Sequence, residues 1–313
     1  MITVFTGGTG GAKLVQGLQQ VVAPEDLTVI VNTGDDLEWW GLHVSPDIDS
    51  VLYSLAGLLS KDRGWGVEAD SFRCLERMRQ LEQPSWFGLG DLDLATHLTR
   101  TAMLRAGKSL SESTAELARR MGVRARILPM SDHRVSTMLE TAKGRLTFQE
   151  YFVRERHQVD VTAVEFDGAE RARPAPGVLA GIESAEAILF APSNPVTSIG
   201  PILAVPGVRD ALRRTSVPVA AVSPVVGGAA VSGPAAELMR MMGWPGSIAG
   251  IAEAYEDFLD VLVADSADGG EAERLNRSGL RALCTNTIMK SADDGRALAQ
   301  FVLRAAANPV EIT

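Results

Sequence analysis

An apolar strand, Ile2 to Phe5, runs directly into Thr6-Gly7-Gly8-Thr9-Gly10-Gly11, and a helical pattern starts at Ala12 with Leu14, Leu18 and Val22 on one face. Four glycines between a strand and a helix constrain the fold more than any other stretch of the chain. They allow tight backbone geometry and let a ligand come close to the main chain. The free N–H groups of the helix start would point at that ligand, and the helix dipole favours negative charge there, so phosphate is the expected guest. Neither familiar version of such a loop fits. A dinucleotide fingerprint, G-x-G-x-x-G, meets Lys13 where its third glycine should fall. The second strand, Leu27 to Val31, ends in Asn32-Thr33-Gly34-Asp35-Asp36 instead of an acidic residue placed to hold a ribose. A Walker A loop needs Gly-Lys-Ser/Thr, which Ala12-Lys13-Leu14 does not supply. The stretch reads as a phosphate cradle of a third kind, the alternative being a βα turn with no ligand.

Further short, apolar, β-branched runs lie at Ala187 to Phe190, Val217 to Val222, Phe258 to Ala264 and Arg281 to Cys284. Helical patterns at Val208 to Arg214, Ala235 to Met242 and Asp293 to Ala307 fall between or after them. This alternation predicts an α/β fold, a doubly wound, mostly parallel, Rossmann-like sheet. Two strands precede residue 35 and about four follow residue 185, so a large cap is expected between them. The expected core is 1–44 with 185–313. The cap is 45–184, helical over 45–121 and β-rich over 122–184. Ser109-x-x-Glu112 is a capping box, Lys143-Gly144 a turn, and Phe148 to Val153 a short helical piece. Ser266 to Glu273 is expected as a surface loop.

A chain of 313 residues can bury an ample core, and its net charge of −9 excludes an overall basic, nucleic-acid-binding surface. Cys74 and Cys284 form no ligand or redox motif and are expected as buried thiols of a reducing compartment. With no secretory leader pattern and no apolar run long enough to span a bilayer, a cytoplasmic protein without a membrane partner is expected.

Ligands of an open parallel sheet lie outside the carboxyl ends of its strands. All five such loops are polar: Thr6 to Gly11, Asn32 to Asp36, Ala191 to Ser198, Ser223 to Gly228, and Thr285-Asn286-Thr287 before Met289-Lys290. Turn chemistry would account for one or two of these; five favour a large polar ligand, with phosphates at the first loop and a base or sugar over its neighbours. From the cap, Ser45-Pro46 suits a helix start, and Asp47 in the first turn is expected to be structural. Asp49 lies further in and could hold a metal ion or accept a hydroxyl proton. Trp86-Phe87-Gly88-Leu89-Gly90-Asp91 could line the flat face of a ring system. His97 is expected as a hydrogen-bonded core histidine, Ser131 to Arg134 as a strand-edge turn, and Trp39-Trp40 as core or subunit contact.

Taken in order, these motifs resemble the 2-phospho-L-lactate transferase family. The residues that carry the resemblance are Thr6 to Leu14, Val31 to Asp36, Ser45 to Tyr53, Pro129 to Asp132, Pro192 to Pro201, Ser223-Pro224, Ser232 to Ala235 and Asn286 to Lys290. The resemblance implies a step in the synthesis of a deazaflavin redox coenzyme. A phospho-acid, carrying lactate or enolpyruvate, moves from a guanosine diphosphate-linked donor to the ribityl hydroxyl of the deazaflavin Fo, and GMP leaves with help from Mg2+. On that basis the amides of Gly7 to Gly11, with Thr6, Thr9 and Lys13, would hold the diphosphate. Ser193, Asn194 and Thr197, with Ser223, would place the guanosine. Asp49 would bind the ribityl group or the metal and take the hydroxyl proton. Trp86, Gly88 and Asp91 would wall the acceptor pocket, Gly88 standing where some members carry a basic residue. The cap aromatics suggest a homodimer. Two rivals remain: a non-catalytic nucleotide-sugar-binding regulator of the same superfamily, and an NAD-dependent oxidoreductase, which Asn32 and the missing third glycine weaken.

Overall fold

The computed structural model describes residues 1–307; 308–313 of the expected core segment lie outside the described residues. Seven strands form one sheet: β1 (Ile2–Thr6), β2 (Leu27–Val31), β3 (Arg126–Pro129), β4 (Ala187–Phe190), β5 (Val219–Val222), β6 (Val261–Asp265) and β7 (Arg281–Thr285). Their order is β7-β6-β5-β4-β1-β2-β3, and every pairing is parallel. This is the doubly wound order with one strand added at the β6 edge. Strands β2, β4, β5 and β6 are buried along their whole length, which is why they read as continuous apolar runs rather than alternating ones. Successive residues still feed opposite layers. Phe5, Ile30, Ile188 and Phe190 enter one core, and Val4, Val29, Val31 and Leu189 enter the other.

Helices cover both faces. The second core is closed by α1 (Gly8–Gln19), α2 (Pro46–Leu55) and α6 (Ala292–Ala307). Between α2 and β3 lie α3 (Arg73–Gln80), α4 (Asp91–Arg105) and α5 (Leu110–Arg120), the last opened by the Ser109/Glu112 capping box. The β-rich part of the insertion is a three-stranded antiparallel sheet of Gly144–Thr147, Ser136–Thr141 and Val161–Asp167.

Several boundaries differ from the sequence expectation, each for a local reason. Helix α1 begins at Gly8, four residues before its apolar face, because the glycines themselves form its first turn. Strand β3 comes from inside the expected cap and pairs with β2 as an edge of the main sheet. Strand β5 starts after Pro218, which has no N–H to give a ladder. Phe258 and Leu259 close turns onto the Tyr255 carbonyl before β6 begins. Ser266 to Glu273 is not a loop. Asp265 caps a tight turn there and helix Gly269–Arg277 follows, its two glycines tolerated because they occupy the first turn. Both cysteines are free, but Cys284 is exposed and Cys74 only half-buried, because neither lies at a core-facing position. Among the described residues no helix is long and apolar enough to cross a membrane.

Candidate active site at the sheet switch point

The order in which strands are added reverses between β1 and β4, so the glycine loop after β1 and Pro192 to Ser198 after β4 meet at one point. Ser193 joins them: its Oγ accepts from the Gly7 amide at 3.1 Å and donates to the Gly7 carbonyl at 2.8 Å. Gly7 has no room for a Cβ, which would lie 2.7 Å from Asp47 Oδ2. At Gly11 a Cβ would collide with Thr6 Oγ1, so this glycine provides the close helix–strand packing for which a dinucleotide loop uses its third glycine. The Gly8 amide donates to Asp47 Oδ1 at 2.8 Å, so the protein supplies an anion of its own at the start of α1. The first-turn amides of Thr9 and Gly10, which have no i−4 carbonyl within the helix, belong to residues that line the cavity beyond.

That cavity has a volume of about 790 Å3. Gly7 to Gly10, Lys13, Ser193, Asn194, Thr197 and Ser223 form the sheet side of its lining, and Thr287 to Lys290 close one flank. The Lys13 ammonium reaches the Met289 carbonyl at 3.3 Å and is otherwise exposed. Thr197 lines the cavity, and its buried Oγ1 has no hydrogen-bond partner among the described residues. It is a donor that a ligand could satisfy.

Two aspartates share Asn32 at the end of β2. The fully buried Asn32 amide donates to Asp35 Oδ2 at 3.1 Å, Asp47 Oδ2 at 3.0 Å and the Thr197 carbonyl at 3.4 Å. Asp36 turns away from the cavity to Ser45 and His43. Burial pushes the Asp47 carboxyl up to about 6, against the hydrogen bonds from Asn32 and Gly8, with the charge of Asp36 adding to the rise. Burial, followed by the charges of Asp47 and Asp36, holds Asp35 well above the usual carboxylate range. The two carboxylates share one amide donor, and both residues line the cavity. Among the described residues no three carboxylate, imidazole or thiolate groups converge to cage a metal. Mg2+, however, commonly uses one or two carboxylates and completes its shell with water and substrate phosphate, and Asp35 with Asp47 fit that demand.

The opposite wall comes from the insertion. Asp49 and Tyr53 on α2, Asp93 and His97 on α4, and the apolar groups of Trp65, Phe87, Leu89, Phe148 and Phe152 all line it. Trp65 is 40% exposed, and its ring edge lies 3.0 Å from where a Cβ on Gly88 would stand. Asp49 is not free: Arg100, fully buried, engages both of its oxygens.

Residues 2–291 match the family model for the 2-phospho-L-lactate transferase CofD. The chain belongs to the 2-phospho-L-lactate transferase family. It is 44% identical over 302 residues to the 2-phospho-L-lactate transferase of Methanosarcina mazei, an alignment covering 96% of this chain and 99% of that one. It is 43% identical over 311 residues to the phosphoenolpyruvate transferase of Streptomyces griseus, covering 97% and 98%. Among solved structures, a Bacillus halodurans member of the UPF0052 family shares the fold with a TM-score of 0.65 at 18% identity, covering 96% of this chain and 98% of that one. A transferase of this family type is therefore the established frame for the site.

Within that frame the sequence-predicted residues divide. Gly7, Gly8, Thr9, Gly10, Lys13, Ser193, Asn194, Thr197, Ser223, Asp49 and Gly88 all line the one cavity. Thr6 and Gly11 lie behind it as packing partners. Asn194 and Ser223 also shape their own turns, accepting from Val196 and Val225 amides. Trp86 and Asp91 lie outside the lining. Trp86 packs edge-on against Trp39 at 4.8 Å, and Asp91 caps α3 through the amides of Arg73 and Cys74. The cap aromatics Trp39, Trp86 and Phe87 are thus packed on one another. Ser131 to Arg134 form a turn held to Arg173, away from the cavity. Asp47 lies in the first turn of α2 and holds the Gly8 amide and Asn32, the structural role expected of it, and it also lines the cavity. Sequence reading passed over Asp35, Tyr53, Asp93 and Arg100. For the last three the signal was spacing: Asp49/Tyr53 at i, i+4, and Asp93/His97/Arg100 at i, i+4, i+7, put each set on one helix face.

Proposed function

We propose that the protein transfers a phospho-acid, phospho-lactate or phospho-enolpyruvate, from a guanosine diphosphate-linked donor to the ribityl hydroxyl of Fo, with Mg2+ and with release of GMP. The observation that carries this reading is a single cavity with two chemically distinct walls. One has first-turn amides, Lys13 and the Asp35–Asp47 pair, suited to a diphosphate; the other has a carboxylate set among aromatic and aliphatic side chains, suited to a polyhydroxylated ring compound.

In this reading the amides of Thr9 and Gly10 and the Lys13 ammonium hold the diphosphate, while Thr197 and its neighbours hold the nucleoside. Asp35 and Asp47 hold Mg2+, which when bound neutralises charge on the phosphate oxygens. Asp49 holds the acceptor hydroxyl. The hydroxyl oxygen forms a bond to the phosphorus that bears the acid. The bond from that phosphorus to the bridging oxygen breaks, and its electron pair leaves with GMP. The hydroxyl proton passes to Asp49. Phosphoryl transfer through a loose transition state needs little basicity for this, since in-line positioning and charge stabilisation supply most of the acceleration.

The transferase names of relatives at this identity favour an enzyme over a nucleotide-sugar-binding regulator. Asn32, bonded to Asp35 and Asp47, stands where an NAD site would place a ribose-binding acid, which disfavours that cofactor. The test is mass spectrometry of products after incubation with Fo, Mg2+ and each guanosine diphosphate-linked acid in turn. A phosphodiester of Fo together with GMP is expected. Tight binding of GDP or a UDP-sugar with no product from any donor would overturn the reading.

A further inference from the structure

The cavity wall formed by α2 and α4 carries more charge than apolar shape would require. Arg100 is fully buried, and both Asp49 and Asp93 are buried beside it. Arg100 Nη1 donates to Asp49 Oδ2 at 3.0 Å and Nη2 donates to Asp49 Oδ1. His97 Nδ1 lies 3.4 Å from Arg100 Nη1 and 3.5 Å from the same Asp49 Oδ2, and its Nε2 lies 3.2 Å from Asp93 Oδ1. The Tyr53 hydroxyl donates to Asp93 Oδ1 at 2.6 Å. Asp49, Tyr53, Asp93 and His97 reach the cavity lining; Arg100 does not.

Stability alone gives little reason for such a cluster. A buried ion pair recovers about what its desolvation costs, and well-packed apolar residues would do as well. A planar guanidinium gripping both oxygens does something an apolar core cannot. It fixes the rotation of the carboxylate plane and leaves the remaining lone pairs in one direction. Each Asp49 oxygen keeps acceptor capacity after its bond to Arg100.

We propose that Arg100, seconded by His97, is a positioning residue. It holds Asp49 in the single orientation in which the carboxylate accepts a hydrogen bond from one hydroxyl of a polyhydroxylated acceptor in the cavity. Arg100 touches no substrate and acts only through Asp49. The proposal rests on the transferase reading for the identity of the acceptor, and it divides the aspartates of α2 by task, Asp47 serving the diphosphate wall and Asp49 the acceptor wall. Lysine at 100 can meet one oxygen but not both, so the carboxylate gains a rotation that misaligns the hydroxyl.

The test uses the full chain with Arg100→Lys, His97→Gln, Asp49→Asn and the double variant Asp49→Asn/Arg100→Lys. It measures thermal melting, GDP affinity by calorimetry with Mg2+, Fo affinity by its fluorescence, and kcat and KM for Fo. Arg100→Lys is expected to lower kcat/KM for Fo about tenfold to a hundredfold, as small misplacements of reacting groups do, and to weaken Fo binding. GDP affinity should stay within about twofold. In the Asp49→Asn background the same change should add nothing. His97→Gln, which removes the ring's contacts to Asp49, Arg100 and Asp93 but leaves the guanidinium on Asp49, should give a smaller loss of the same kind, and it decides the matter if Arg100→Lys does not fold. Equal loss of GDP and Fo affinity would overturn the proposal, as would unchanged Fo parameters or a full additional loss on top of Asp49→Asn. Should the wild type bind GDP and Fo but form no product, the transfer reading fails, while the Fo-affinity arm still decides the role of Arg100.

Discussion

Replacing Asp47 by asparagine is predicted to stabilise the ligand-free protein at neutral pH while ending transfer. Burial raises this carboxyl from 3.8 to about 6, outweighing the hydrogen bonds from Asn32 and the Gly8 amide. A carboxyl whose folded value lies above its unfolded one favours the fold when protonated. Its contribution is therefore intact below 3.8, declines as the pH rises, and is fully lost above about 6. A rise of that size corresponds to about 3 kcal/mol. Asparagine keeps an oxygen for the Gly8 amide but turns its own NH2 toward that of Asn32. This mismatch returns part of the gain and leaves a net stabilisation of about 1–2 kcal/mol at about pH 8. Urea denaturation of both proteins without divalent cations, from about pH 4 to about pH 8, reads the difference directly. The variant should gain on the wild type as the pH rises and level off above about 6, and added Mg2+ should close the gap by stabilising only the wild type. A stability difference that stays flat across this range would refute the picture of a carboxylate whose ionisation burial opposes.

Other outcomes follow from the same geometry. Asp49→Ala should abolish transfer and leave GDP affinity nearly intact, checked by calorimetry beside a product assay; equal turnover would remove Asp49 from the mechanism. Lys13→Ala should weaken GDP binding by about 1.5–3 kcal/mol, the usual cost of a lost charge-assisted contact, and an unchanged calorimetric affinity would contradict that assignment. Gly88→Lys should displace Trp65, whose ring edge lies 3.0 Å from the position of the new Cβ. A change in tryptophan emission and in the KM for Fo, with GDP affinity unchanged, is expected; unaltered emission and KM would mean Trp65 is not part of the acceptor wall.

The sheet was legible in the sequence because parallel strands buried on both faces leave continuous apolar runs, and polar loops mark their carboxyl ends. The glycine loop was legible as a switch-point site, but not in how its amides are used. Asp47 and Ser193 take the amides of Gly8 and Gly7, partners 39 and 186 residues away, and no local pattern announces contacts at such separation. The edge strand β3 was hidden for a related reason, since only its pairing with β2 sets it apart from the β-rich insertion that follows it. Trp86 drew attention as an aromatic beside a Gly-Asp turn, yet the neighbouring Phe87 and the distant Trp65 reach the cavity instead. Arg100 gave a signal only through helical spacing, and a single arginine among polar residues reads as a solvated face until its burial is seen.

The account depends on a diphosphate at the start of α1 and on Asp35 and Asp47 as the residues that would hold a cation. A crystal structure of the protein soaked with GDP and Mg2+ tests this most directly. Phosphate oxygens on the Thr9 and Gly10 amides, with the metal on Asp35 and Asp47, are predicted. Nucleotide bound elsewhere, or a cavity in which Asp47 still answers the Gly8 amide and no metal joins the carboxylates, would contradict it.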